Sequence, residues 1–503
     1  MKQKNHEHSI QEGKNHLDIL QDELKSIGVS VIDFFRYLRL KWVKQEVKRD
    51  YINYIEKILG KPIDKIVDLA LTEEKRKKLD KLIKEKNYNW GDSNFHINYR
   101  ITTYQDLIEI LEEIEPEIEN IIKKGYNLSI MPLALVTKNK DLLNKFIPKK
   151  DFFTEHIAKS WDPYGIFGEK AKIIREGFYL ASQKFKGSVL MNITSACPLG
   201  CVGCYKGAFT RIVGKKFYTE LKQAISKQSE LLVSHLNEHP EIKTVILSGG
   251  EPLLLKNDAI KKMLNEFKKT KYLGEFRICT GTIFQGLPFR IDDELLDILE
   301  DFENETGIKV NFNAHLGHPS QFMLESLIAI RKIIKRGFPI NSQVPLQRNV
   351  NIFIEDFDKT MNTLFDLAQL QGISGIRPYK YILHMNVGSL EYSVPLEFML
   401  KVLAELKYRI DHPWPETWQP VSYCILYQEG NILLSPQLLF SIQKQVHKDY
   451  VIYKIPVLHE GNRWHVVDYK EPLLKGYNDN PSSLKELQEK LQHAFKIDKN
   501  FSV

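Results

Sequence analysis

The chain of 503 residues is short of several things, and each shortage narrows its function. No apolar run approaches the roughly 20 residues needed to cross a bilayer, so no membrane partner is expected. The polar opening stretch MKQKNHEHSIQEGKNHLD carries no apolar h-region, so no secretory signal is expected either. There are only five cysteines, an odd number, and three of them fall within eight positions. That usage argues against a disulfide framework and points to a reducing, cytoplasmic setting. The net charge of +7 is small for the length. The densest basic run, Glu73–Lys86 (EEKRKKLDKLIKEK), mixes acids with bases at helical spacing and reads as a solvated helix face, so nucleic acid is not an expected partner. No internal repeat, dedicated RNA-binding motif or second cysteine cluster is present.

What is present is an ordinary globular composition, 43% hydrophobic and 27% charged, with enough chain for a large core. Residues 1–16 read as a disordered tail. Residues 17–160 form a helical N-terminal region, with apolar residues at helical spacing in LDILQDELKSIGVSVIDFFRYL and YQDLIEILEEIEPEIENIIKK; Pro116 divides the latter. Over 161–436, after a turn signal at Asp162–Gly165, short apolar strands alternate with amphipathic helices. The strands are SVLMNIT, TVILSGGEP, EFRICTGT, KVNFNAHL, INSQVPL and IRPYKYIL, with a seventh at Val421–Gln428. Such alternation predicts an α/β fold in which parallel strands are joined by right-handed crossovers. Residues 437–503 make a small mixed C-terminal extension, in which YVIYKIPVL and WHVVDY pair as strands and Ser482–Phe495 is helical.

The clustered cysteines lie in ACPLGCVGCY, just after the first strand: Cys197, Cys201 and Cys204. Thiolates are soft ligands that suit zinc or iron–sulfur clusters. Three of them leave one place open. Spacing alone permits a zinc site completed by His315 or Cys279. The second strand ends in SGGEPLL, where Gly249 and Gly250 allow a close backbone approach and Glu251 offers an acceptor for an ammonium group. Both motifs sit at strand C-terminal ends, where such folds carry their chemistry.

Cysteines spaced C-x3-C-x2-C after strand one, followed by GGEP after strand two, resemble the radical S-adenosylmethionine (SAM) superfamily. The resemblance implies a partial (β/α)6-type barrel and a [4Fe–4S] cluster on the three cysteines, with SAM chelating the fourth iron. Gly249, Gly250 and Glu251 would meet the SAM amino group. Tyr205 stands where the superfamily places an aromatic residue near the adenine, or is a packing residue. Electrons would come from reduced flavodoxin or ferredoxin, and the radical formed from SAM would abstract hydrogen from a small-molecule substrate.

The segments RICTGTIFQGLPFRI, VNFNAHLGHP, RGFPINSQVPLQRNVN and IRPYKYIL resemble, in order, pieces of the lysine 2,3-aminomutase family. On that likeness Thr280, His315 and Gln343, with Arg277 and Arg348, lie near SAM or the substrate; otherwise His315 is a hydrogen-bonded histidine at a strand end. That family holds pyridoxal phosphate (PLP) on a lysine, and here the sequence departs from it. Asn431 stands about where the lysine belongs, Ser188 replaces a phosphate-binding arginine, and the substrate-binding aspartates are missing near His384–Asn386 and Tyr427. Lys206 replaces the arginine that grips the substrate carboxylate, keeping charge but losing the bidentate fork.

The expected function is therefore a SAM-radical enzyme acting without PLP on a small polar, amino-acid-like substrate, with Lys206, His384 and Cys424 as catalytic candidates and Tyr381 and Tyr427 beside them. The alternatives are a PLP-dependent amino acid 2,3-aminomutase using Lys380, and modification of RNA or a peptide. Cys279 and Cys424 otherwise read as small buried strand residues. The family's subunit-joining zinc cysteines have no counterpart after Pro436, so any oligomer assembles by other contacts.

Overall fold

Alternate residues of the central strands divide cleanly by character. Val245, Leu247, Phe276, Ile278, Val310, Phe312 and Val344 are buried in one apolar core, while their neighbours Thr244, Ser248, Glu275, Arg277, Asn311, Asn313 and Gln343 are polar. A strand presents successive side chains to opposite faces, so one face of the sheet is built for helices and the other for polar contents. The computed structural model describes residues 15–66, 69–111, 114–124, 126–150, 181–204, 214–384, 390–408, 423–427, 430–434, 440–459 and 463–498.

The sheet runs in sequence order: β1 (Ala181–Phe185), β2 (Ser188–Asn192), β3 (Thr244–Ser248), β4 (Glu275–Thr280), β5 (Lys309–His315), β6 (Ile340–Leu346), β7 (Arg377–His384), β8 (Tyr423–Tyr427) and β9 (Gly430–Leu434). Neighbours from β2 to β8 pair in parallel, and β1 and β9 close the edges antiparallel. Helices Gly214–Glu238, Asn257–Phe267, Asp293–Thr306, Leu324–Lys335, Phe357–Ile373 and Leu396–Tyr408 carry the six crossovers. This is the partial barrel expected from the strand–helix alternation, including the seventh strand at VSYCILYQ. The antiparallel strand β1 adds an element that the apolar pattern did not announce.

The N-terminal region is helical, from His16–Ile27 to Lys140–Leu143, and the Pro116 sequence is indeed split into Tyr104–Ile110 and Glu117–Lys123. Its own core is aromatic, with Phe34, Phe35, Trp90 and Phe95 in mutual ring contact. It is fastened to the barrel by a buried ion pair. Arg39 donates to both carboxylate oxygens of Glu325, at 2.6 and 2.9 Å, and the Trp90 indole donates to the same carboxylate at 2.8 Å.

The C-terminal extension is a separate antiparallel sheet of β10 (Gln443–Val446), β11 (Tyr450–His459) and β12 (Arg463–Pro472), followed by the helix Ser483–Asp498. Glu397, on the last crossover helix, anchors it by accepting from Tyr453 Oη at 2.8 Å and Lys444 Nζ at 2.5 Å. No described helix is long and apolar enough to cross a membrane.

Candidate metal centre

The loop after β2 carries the three cysteines, and it is held from two directions. From the sheet side, Gly250 N donates to Thr194 O at 2.5 Å and Glu251 N to Ala196 O at 2.8 Å. Gly249 has a positive φ of 135°, and a Cβ on either glycine would collide with the loop's backbone at Thr194 or Ala196. The glycines of SGGEP are thus required by the approach of the cysteine loop itself, beyond any approach of a ligand. From the helical side, Val202 N donates to Lys145 O at 2.8 Å, Tyr126 Oη donates to Gly200 O at 2.8 Å, and Ser129 Oγ donates to Pro198 O.

Between these supports lies a cavity of about 750 Å³, its open mouth included. The structure brings Cys197, Cys201, Cys204, Gly249, Gly250, Glu251, His315 and Gln343 together on its walls. Thr280 is one step back: its hydroxyl donates to Glu251 Oε1 at 2.7 Å. Gly281 N donates to Glu251 Oε2 at 2.8 Å, and Leu253 N to Oε1 at 3.2 Å. Burial raises the pKa of the Glu251 carboxyl, while these hydrogen bonds oppose the rise. This carboxylate therefore ties the loops after β3 and β4 together while lining the cavity.

Arg277 and Arg348 are placed elsewhere. Arg277 is occupied by Glu275 at 2.6 Å, on the polar face below the cavity, and Arg348 pairs with Glu355. Tyr205 and Lys206 lie outside the described residues, as does the turn signal at Asp162–Gly165. For Tyr381, His384 and Cys424 only the backbone placement is described. Tyr381 pairs with Gln343, and Cys424 pairs with Leu383, which pairs with the cavity residue Pro345. His384 instead shares register with Leu346, a core residue on the other parity.

Among the cavity residues that the sequence did not single out are Lys145, Gln285 and Gln347. Gln285 is central to the loop's geometry. The Cys201 thiol donates to its Oε1 at 2.6 Å, and its Nε2 donates to His315 O at 3.3 Å. It sat in the quoted segment RICTGTIFQGLPFRI, so its position was visible, although its role was not.

The donor set suits an iron–sulfur cluster. The Cys197 thiol is pushed well above its ordinary range, by burial first and then by Cys201, Glu251 and Cys204. Deprotonation in that setting is costly, and a cationic iron–sulfur core, which takes thiolates as ligands, would offset the cost. Among the described residues no three His, Cys, Asp or Glu side chains converge as on a single metal ion. A cluster, whose cysteines each take a different iron, asks for no such convergence.

Comparison with known proteins agrees. Residues 186–324 match a 4Fe-4S single cluster domain. The chain's homologues are lysine 2,3-aminomutase-like radical SAM proteins. An Aquifex aeolicus protein whose name proposes L-lysine 2,3-aminomutase activity is 25% identical over 328 residues, 64% of this chain and 82% of that one. Glutamate 2,3-aminomutase of Clostridioides difficile is 23% identical over 315 residues, 61% of this chain and 69% of its own. L-lysine 2,3-aminomutase of Clostridium subterminale is 23% identical over 327 residues, 63% and 72% of the two chains.

Proposed function

We propose that this protein is a radical SAM enzyme that acts without PLP on a small, polar, carboxylate-bearing substrate, amino-acid-like in character. The observation that carries the reading is the joining of the cysteine loop and the Gly249–Glu251 loop around one cavity at the C-terminal ends of parallel strands. Cys197, Cys201 and Cys204 would hold the cluster; Gly249, Gly250 and Glu251 would receive SAM's amino group, with His315 and Gln343 opposite. When bound, the cluster and SAM would supply one-electron chemistry for taking hydrogen from the substrate. The chain's own contribution is to seal and orient. Pro345 and Leu199 give the cavity apolar walls, and in the iron-free protein Gln285 links the Cys201 thiol to the end of β5. Reduced flavodoxin or ferredoxin is the class of electron donor.

PLP independence rests on the sequence departures, with Asn431 where the family's lysine belongs and Ser188 where an arginine would bind phosphate. Anaerobically reconstituted protein given dithionite, SAM and deuterium-labelled candidate amino acids should transfer label into 5′-deoxyadenosine from one of them. A cluster-loaded sample that makes no 5′-deoxyadenosine with any of them would count against the reading. A yellow lysine imine on incubating cluster-free protein with PLP would overturn its PLP-free half.

A further inference from the structure

Lys145 belongs to the helical N-terminal unit, yet its side chain reaches the wall of the cysteine cavity. It is 2% exposed, and its Nζ makes no hydrogen bond. A Cβ on Gly317, just beyond β5, would lie 3.3 Å from that Nζ, which brackets the amine between the end of β5 and the cysteine loop. Lysine is almost never fully buried unless paired. An unpaired ammonium in such a place is costly, so the site asks for an acceptor that arrives with the cavity's contents. Burial lowers the amine's pKa.

The same residue fixes the loop through its backbone, since Lys145 O accepts from Val202 N, next to Cys201. Cys201 thus meets Gln285 at 2.6 Å and shares the cavity wall with the buried Lys145 side chain. We propose that Lys145 is a redox-positioning residue, whose ammonium faces the cluster held by Cys197, Cys201 and Cys204 and raises its reduction potential. This rests on the cluster reading above. One electron enters the cluster on reduction, and no bond is made or broken. Hydrogen bonds to cluster sulfurs and nearby positive charge stabilise the more negative, reduced state. Lys145 is not assigned contact with the substrate.

The test compares wild type with Lys145→Met, Lys145→Gln and Lys145→Arg, each reconstituted anaerobically, assayed for iron and reduced at defined potentials without SAM. The reduced fraction is read by electron paramagnetic resonance. Lys145→Met and Lys145→Gln are expected to load iron like wild type. At the potential where half of the wild-type cluster is reduced, their reduced-to-oxidised ratio should fall about tenfold, or 59 mV for a one-electron couple. Lys145→Arg should recover most of it. Because Nζ has no partner in the iron-free protein, iron-free Lys145→Met should melt no lower than wild type.

An unchanged reduced fraction in either uncharged variant overturns the proposal, as does an iron-free Lys145→Met that melts markedly lower. Failure of wild type itself to assemble a four-iron cluster would instead defeat the underlying reading, so the two failures are distinguishable.

Discussion

The sheet and the helical N-terminal unit contribute to the same loop in opposite ways. The sheet advertises its chemistry: ACPLGCVGCY follows β2, SGGEP follows β3, and both open on one cavity. The helical unit carries no motif, but it supplies Tyr126, Ser129 and Lys145 to the far side of that loop. Chemistry-bearing residues are few and spaced by ligand geometry, so they leave a pattern. Supporting contacts go largely through backbone carbonyls, such as Gly200 O and Lys145 O, and almost any sequence can furnish those.

The largest expected effect tests the sheet's side of the comparison. Cys197→Ala, Cys201→Ala and Cys204→Ala should each abolish stable four-iron loading, measured by iron analysis and visible absorption. Their far-UV circular dichroism should not change, because the loop is also held by the Val202 and Gly200 backbone bonds. Collapse of the helical unit in these variants would break the division of labour between the two regions.

Next in size is the joint between the regions. Arg39→Ala leaves Glu325 buried without its guanidinium, and removing one partner of a buried pair costs about 3–5 kcal/mol. Chemical denaturation should register that loss. Replacing both residues by apolar ones of similar volume should recover much of it.

A third test compares one buried histidine from each region. Burial depresses both His96, in the helical unit, and His318, after β5, to a pKa of about 4. Their unfolded value is about 6.5, so between those values the unfolded chain takes up protons that the folded one refuses. Stability is therefore complete above about pH 6.5 and falls as pH drops toward 4, by about 3 kcal/mol per histidine at most. Urea midpoints from pH 7 to pH 4 should show the fall. His96→Gln and His318→Gln should each flatten it by a similar amount. A flattening confined to one of them would mean that the regions do not unfold together.

Much of the architecture was readable in the sequence because the barrel repeats one physical pattern, an apolar strand and then an amphipathic helix, six times over. The C-terminal strands YVIYKIPVL and WHVVDY and the break at Pro116 were readable for similar reasons. Less readable was β1, which has few apolar residues and pairs antiparallel only because the short turn at Lys186–Gly187 returns the chain. Of the site, the cysteines and glycines were legible, while Gln285 and Lys145 were not. A glutamine or lysine becomes notable only once folding buries it beside sulfur. The division of each strand into apolar and polar faces was legible, but His384 shows that parity matters: one residue's shift in register separates the parity of Pro345 from that of Leu346.

The smallest effect bears most directly on what the helical unit contributes. Tyr126→Phe removes a hydroxyl that bonds Gly200 O and Phe146 O, leaving two buried carbonyls poorer by one donor. The expected loss of stability is about 1–2 kcal/mol, close to the scatter between surface variants. The discriminating measurement is the rate at which iron is lost to a chelator. Gly200 lies next to Cys201, so loosening it should speed iron release while a control such as Lys78→Ala does not. Lys78 pairs with Glu74 on the exposed helix Glu73–Lys86, at 2.6 Å, and exposed pairs of that kind contribute a few tenths of a kcal/mol. Equal release rates in the two variants would mean that the sheet alone positions the cysteines and that the helical contacts merely cover them. Faster release in Tyr126→Phe would make the motif-free region part of the metal centre.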